Sequence, residues 1–151
     1  METFPAFKDV ANFKGKDIYI IKKAQLLTAD LYRQIRHHFP ERFHFKDISE
    51  LTVMSDNVIP AVLRKFDILK IKSEELKHIL DSSSILPSGQ MEVELRVIAV
   101  FACELIVKQY NEMFPEKKLP TMDFDFYLWA KGKDTGFRTF PRHYTQNTIY
   151  Y

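Results

Sequence analysis

Two carboxylates in this sequence stand where chemistry could be built. Asp56 lies in a short polar break, Ser55-Asp56-Asn57, between the apolar runs Leu51-Thr-Val-Met54 and Val58-Ile-Pro-Ala-Val-Leu63, and Asp125 lies among Phe124, Phe126, Tyr127 and Trp129. A carboxylate at such a break can sit at the start of the next helix, stabilised by unpaired backbone N–H groups and by the positive end of the helix dipole. If Asp56 and Asp125 converge, they make an acidic, partly desolvated pocket rimmed by Met54, Phe126, Tyr127 and Trp129. That pocket suits a cationic or sugar-like ligand, because a carboxylate stabilises developing positive charge while aromatic faces stack on a ring. The same residues also allow a structural reading, in which Asp56 or Asn57 caps a helix and the aromatics form core.

Other groups carry less information. Glu92 and Arg96 are four residues apart on a helical pattern, and such a pair is worth about 0.2–0.5 kcal/mol when exposed, so a structural role is expected. His37 and His38 are adjacent on a polar face near a helix end, where they suit the dipole better than a metal. Arg142 and His143 could together meet a phosphate, or could belong to a solvated tail. GxGxxG, P-loop, HExxH and GxSxG patterns are missing, which removes support from dinucleotide, nucleoside-triphosphate, zincin and serine-hydrolase readings. The single cysteine, Cys103, excludes an internal disulfide and a Cys-rich zinc site. Neither a cofactor nor a metal is expected.

A chain of 151 residues with 46% hydrophobic content suits one domain, residues 1–151, with a substantial core. Twenty-two basic against twenty acidic residues leave a net charge of +2, so no global field points to nucleic acid or to a membrane surface. Residues 1–7 lack the order of a signal peptide, and no apolar run reaches the length of about 20 residues that spans a bilayer. The expectation is a cytoplasmic protein.

The positioning elements read as mainly helical, with little strand. Residues 4–16 have no clear period and suggest a loop or short initial helix ending near Gly15, and residues 18–21 suggest a short strand. Ala24, Leu27, Leu31, Ile35 and Phe39 mark one helix face, closed by Pro40. Asp47 or Ser49 could cap a short helix carrying Leu51 and Met54, and a second helix should begin near Asn57 and reach Phe66, with Pro60 in its first turn. Ser73 caps another helix reaching Leu80. From Met91 to Tyr110 the spacing predicts a central helix of about 20 residues, roughly 30 Å long. Thr121 should cap a last helix, residues 122–130, with Asp123 and Asp125 in its first turn and Gly132 as its stop. The tail from Phe137 reads as extended.

Taken together, Lys22-Lys-Ala-Gln-Leu-Leu-Thr-Ala-Asp30, Leu51-Thr-Val-Met-Ser-Asp-Asn-Val-Ile-Pro60, Gly89-Gln-Met-Glu-Val-Glu-Leu-Arg96, Asp125-Phe-Tyr-Leu-Trp129 and Thr148-Ile-Tyr-Tyr151 resemble, in that order, segments of the queuosine salvage proteins. The resemblance implies a helical fold similar to DNA glycosylases and hydrolysis of the N-glycosidic bond of queuosine 5′-phosphate, releasing queuine for tRNA modification. It implies Asp56 as the catalytic carboxylate and Asp125 as a substrate-binding one that grips the base. Met54, Tyr127 and Trp129 would line the base site, although the family commonly has aromatics where this chain has Met54 and Asn57. Lys23, with Arg142 and His143, is our expectation for the 5′-phosphate. The expected partner is this small nucleotide, with neither membrane nor direct nucleic-acid contact, and the chain would correspond to the C-terminal part of a longer family fold. The alternative is a non-catalytic helical binding module, or truncated remnant, contacting RNA or protein through residues 57–66 and 73–80.

Overall fold

An unbroken apolar pattern makes residues 90–113 the longest element, and the other helices are arranged around it. The computed structural model describes residues 4–151; residues 1–3, part of the opening segment, lie outside the described residues. A 3-10 turn, Pro5–Phe7, leads into a hairpin of β1, Val10–Phe13, and β2, Lys16–Tyr19. Then follow α1 (Lys22–Asp30), α2 (Pro40–Phe43), α3 (Val58–Lys65), α4 (Glu74–Asp81), α5 (Gln90–Met113), α6 (Thr121–Lys131) and α7 (Thr135–Arg138). The fold is mainly α, as expected, with a single two-stranded antiparallel sheet among the described residues.

The main core lies where α3, α5 and α6 meet. Val53, Val58, Ile59, Val62, Leu63, Ala99, Cys103 and Leu128 pack together there. Six consecutive residues of α3, Val58 to Leu63, are buried, so this helix is enclosed on all sides and does not offer the docking surface that the binding-module alternative asked of it. Gly132 stops α6 for a different reason from the one expected. Its φ is −60°, an ordinary helical value, and a Cβ there would run into Val58 Cγ1, so the glycine permits close approach of α6 to α3. Burial pushes the Cys103 thiol up to about 12, assisted by Asp125 and Glu104, so it stays a protonated core residue.

Several local expectations fail for identifiable reasons. The opening segment forms a hairpin, because Lys14 and Gly15 both adopt positive φ and close a tight turn, with Gly15 N–H donating to Asn12 Oδ1 at 3.2 Å. The face assigned to α1 is displaced: Leu27 and Phe39 are exposed while Gln25 and Ala29 are buried, and the helix passes into a π-helical turn, Leu31–Ile35. Gln25 is inside because its amide binds Ile20 O at 3.0 Å and its Oε1 accepts Thr52 N–H at 2.9 Å. Leu51 and Met54 are not helical. After a 3-10 turn, Ile48–Glu50, the chain runs extended to Ser55, since the N–H groups of Thr52 and Met54 are taken by side chains of α1 and α6. Thr121 is the first residue of α6, following the N-cap Pro120, and does not cap it. Ser73 does cap α4, accepting Leu76 N–H at 3.2 Å.

The Glu92–Arg96 pair is not an exposed surface pair. Arg96 is 2% exposed, and it donates to Asp9 Oδ2 at 2.5 Å and Oδ1 at 3.1 Å, to Glu92 Oε1 at 3.4 Å and to Ser55 O at 3.0 Å. Tyr151 O–H donates to the same Glu92 oxygen, and His143 Nε2 lies 3.0 Å from Tyr151 Oη. This cluster joins the segment before the hairpin, the long helix, the extended segment at Ser55 and the tail residues His143 and Tyr151. Truncating Arg96 strands two buried carboxylates, so Arg96→Ala should lower the unfolding free energy by about 3–5 kcal/mol. Urea denaturation measures this, and a loss under about 1 kcal/mol would remove the cluster from its place as the main tie.

Candidate active site

The extended segment 51–55 is clamped from three helices before it delivers Asp56. Gln25 of α1 holds Thr52, Asp125 of α6 holds Met54, and Arg96 of α5 holds Ser55. Ser55 N–H also closes a tight turn onto Val53 O at 3.0 Å, which bends the chain just before Asp56. The whole stretch from Val53 to Asp56 is buried.

Asp56 does the capping expected of the polar break. Its Oδ1 accepts the N–H of Val58, the first residue of α3, at 2.7 Å, while Asn57 in the N-cap position makes no side-chain cap. Its Oδ2 lies 3.5 Å from Lys22 Nζ. The carboxylate is thus fixed by one backbone donor and one cation with only 7% of the residue exposed.

Lys22 is the residue that sequence reasoning missed, having selected its neighbour Lys23. The two differ by about 100° around α1, and the backbone ahead of them decides which one turns inward. Ile21 has φ 41°, a left-handed conformation that is strained for a β-branched residue. It is held there by Asp9, whose carbonyl accepts Ile20 N–H and Ile21 N–H at 3.1 and 3.0 Å and whose carboxylate accepts Lys22 N–H at 3.4 Å. Nothing in the local spacing signals this, because Asp9 and Arg96 are 87 residues apart.

Asp125 is the fifth residue of α6, one position later than expected because the helix begins at Thr121, and it is 5% exposed. Its Oδ1 accepts Met54 N–H at 2.8 Å, which ties it to the extended segment leading to Asp56. Burial pushes its carboxyl up to about 6; the Met54 N–H and Lys22 act against this shift, and Asp56 adds to it. Asp125 thus binds the backbone two residues before Asp56, and Asp56 with its Lys22 partner is near enough to act on the Asp125 charge.

The aromatic rim is assembled only in part. Met54 is buried with Ala29 and Met122, and Phe126 packs beside them with the Arg33 guanidinium 4.0 Å from its ring centroid. Trp129 stands one turn from Asp125 on a similar face, half exposed, with Lys133 Nζ 3.2 Å from its ring centroid. Tyr127 lies about 200° around the helix from Asp125, is 55% exposed and stacks on Phe124, so it leaves the cluster.

The three residues expected at a phosphate all bind the chain's own backbone or the tail. Lys23 Nζ donates to Ile149 O at 2.5 Å, and Arg142 donates to Gly132 O. His143 is buried against Tyr151, and burial, with Arg96 and Arg64 nearby, pulls its imidazole down to about 4. It is neutral at pH 7 and offers a hydrogen bond rather than a charge.

The elevated Asp125 value fixes a direction for stability. Between about pH 4 and 6 the folded state holds a proton on Asp125 that the unfolded chain has released, so this carboxyl loses stability for the fold as pH rises through that window. A shift from 3.8 to about 6 corresponds to about 3 kcal/mol. Asp125→Asn keeps an acceptor for Met54 N–H, so its unfolding free energy relative to the unchanged protein should improve from pH 4 to pH 7 by up to this amount. Denaturant titrations across the range check it, and a flat difference would mean that Asp125 ionises freely inside the fold.

Comparison with known proteins agrees over the whole chain. The family model described as queuosine salvage protein matches residues 1–151. A protein of Bos taurus named queuosine 5′-phosphate N-glycosylase/hydrolase is 32% identical over 159 residues, covering 100% of this chain and 46% of its own. Proteins with the same name from Schizosaccharomyces pombe and Sphaerobacter thermophilus are 30% and 31% identical, covering 87% and 98% of this chain and 36% and 44% of their own. The chain spans less than half the length of these curated relatives. With the match running from the first residue to the last, and with Asp125 tied to the segment that leads to Asp56, the chain belongs to the queuosine salvage protein family.

Proposed function

We propose that this chain carries the carboxylate centre of a hydrolase that cleaves the N-glycosidic bond of queuosine 5′-phosphate and releases queuine. The observation that carries the reading is the fixed Asp56 carboxylate, paired with Lys22 and bound by Val58 N–H beside a second carboxylate, Asp125. Cleavage of such a bond passes through an oxocarbenium-like sugar. A rigid, largely desolvated carboxylate next to the anomeric carbon stabilises that cation, attacks it or orients a water, and a preorganised group needs no rearrangement as charge develops.

Asp125 takes the second role in this reading, holding the departing base. Its Oδ1 is committed to Met54, while its Oδ2 makes no hydrogen bond among the described residues. With a carboxyl titrating near 6 it can accept from, or donate to, a heterocycle edge. Trp129 and Met54 supply the faces against which the base would lie. Lys23, with Arg142 and His143, is the proposed phosphate contact, Lys23 by exchanging Ile149 O for a phosphate oxygen and His143 as a neutral partner. No helix among the described residues is long and apolar enough to cross a membrane. A cytoplasmic setting, where a lone reduced thiol such as Cys103 is usual, suits the reading.

Incubating the chain with queuosine 5′-phosphate and following free queuine by chromatography should show release, with Asp56→Asn reducing it by on the order of 100-fold or more while circular dichroism and the thermal midpoint hold. Turnover retained in Asp56→Asn would assign the chemistry to another group. No release from the unchanged chain, with the Bos taurus relative active alongside, would end the reading for these 151 residues acting alone.

A further inference from the structure

The inside of α5 is accounted for by the core, but its outside is not. Its outer stripe runs Glu94, Ile98, Phe101, Leu105, Lys108, and the three apolar members are 46%, 56% and 50% exposed. Their spacing of three and then four residues puts them side by side on one face. A helix apolar all round is normally buried all round. Here a strip of large apolar side chains on the longest helix faces water.

A groove of about 560 Å³ opens alongside the same strip. Ile98 and Phe101 form one wall, Phe13 and Ile18 of the hairpin another, and Ile71 and Leu76 the third. Lys70, Lys72 and Glu94 stand at its edge. An apolar floor with charged groups at the margin is the anatomy of a protein interface core and rim. Neither Asp56 nor Asp125 lines this groove, so it is separate from the carboxylate cluster.

The length of the relatives says what fits there. More than half of the Bos taurus protein lies outside its match to this chain, so the family fold contains a second body of polypeptide about as large as this one. A body of that size packing on this fold buries apolar surface of its own against an apolar surface here, and the α5 strip with its groove offers one. We propose that the Ile98, Phe101 and Leu105 face and its groove seat the polypeptide equivalent to the part of the relatives outside the match, through an amphipathic helix with large apolar side chains at three- and four-residue spacing. The inference rests on family membership and on the exposed face, not on hydrolysis, and is read without substrate.

Thiol labelling tests it. Ile98→Cys places a reactive group on the face, Phe39→Cys places one at an exposed position away from it, and Cys103 is fully buried. Each variant is made in the 151-residue chain and in a fusion carrying the portion of the Bos taurus relative outside the match, because tethering raises the effective concentration to about the millimolar range. Maleimide labelling at position 98 should slow at least tenfold in the fusion, labelling at position 39 should not change, and adding Phe101→Asp should restore the fast rate at 98. Equal rates at 98 in the two forms, a slowing that Phe101→Asp leaves intact, or separate melting of the two halves would each overturn the proposal. Labelling of the isolated chain that slows with its own concentration would assign the face to a second copy and overturn it as well. Loss of queuine release with protection at 98 intact would count against the proposed function alone.

Discussion

A guanidinium taken out of water has to be surrounded by acceptors, and Arg96 has drawn the rest of the molecule around itself to supply them. Asp9 comes from the segment before the hairpin, Glu92 from the preceding turn of α5, and Ser55 O from the extended segment that leads to Asp56. Burying such a group costs several kcal/mol, which only well-placed partners offset. Once the partners are in place, the geometry they impose is stiff. Ser55 is held by a charge-assisted bond, Met54 by Asp125, and the carboxylate one residue further on has little freedom left.

The end of the chain completes this arrangement. Asn57 donates to His143 O, Arg64 to Pro141 O, Leu86 N–H to Tyr144 O and Lys23 to Ile149 O, so the tail is fastened at several points across α1, α3 and the loop before α5. Its last residue reaches Glu92, and its ring lies 5.1 Å from the Arg96 guanidinium. Burial and the Glu92 contact push the Tyr151 phenol up, so it remains a hydrogen-bond donor. The tail, expected to be extended from Phe137, is helical through Arg138 and becomes non-helical only beyond α7, where it is an ordered strap held by side chains and carbonyls elsewhere in the fold.

Legibility followed the range of the interaction responsible. Ser73 and the central helix were visible, because capping and apolar periodicity depend on residues within a few positions. The 3-10 turn and extended segment at 48–55 were not, since the donors that a helix would have used are claimed by Gln25 and Asp125. Gln25 itself shows the limit of periodicity: a polar side chain with three good partners goes inside, while Leu27 stays out. Gly132 was recognised as a stop, but its reason, contact with Val58, lies on another helix.

The sequence by itself determined that the chain is mainly helical, that α3 begins at the polar break, and that Asp56 and Asp125 stand at chemically unusual positions. Short-range rules suffice for these, because helix caps, periodicity and residue type act over one or two turns. Tertiary structure alone decided that Asp56 pairs with Lys22 rather than Lys23, and that Glu92 and Arg96 are a buried tie instead of a surface pair. Those outcomes depend on which side of a helix faces its neighbour and on partners up to 87 residues away. A rotation of about 100° per residue separates the lysine that pairs with Asp56 from the one that does not, and only packing sets that angle.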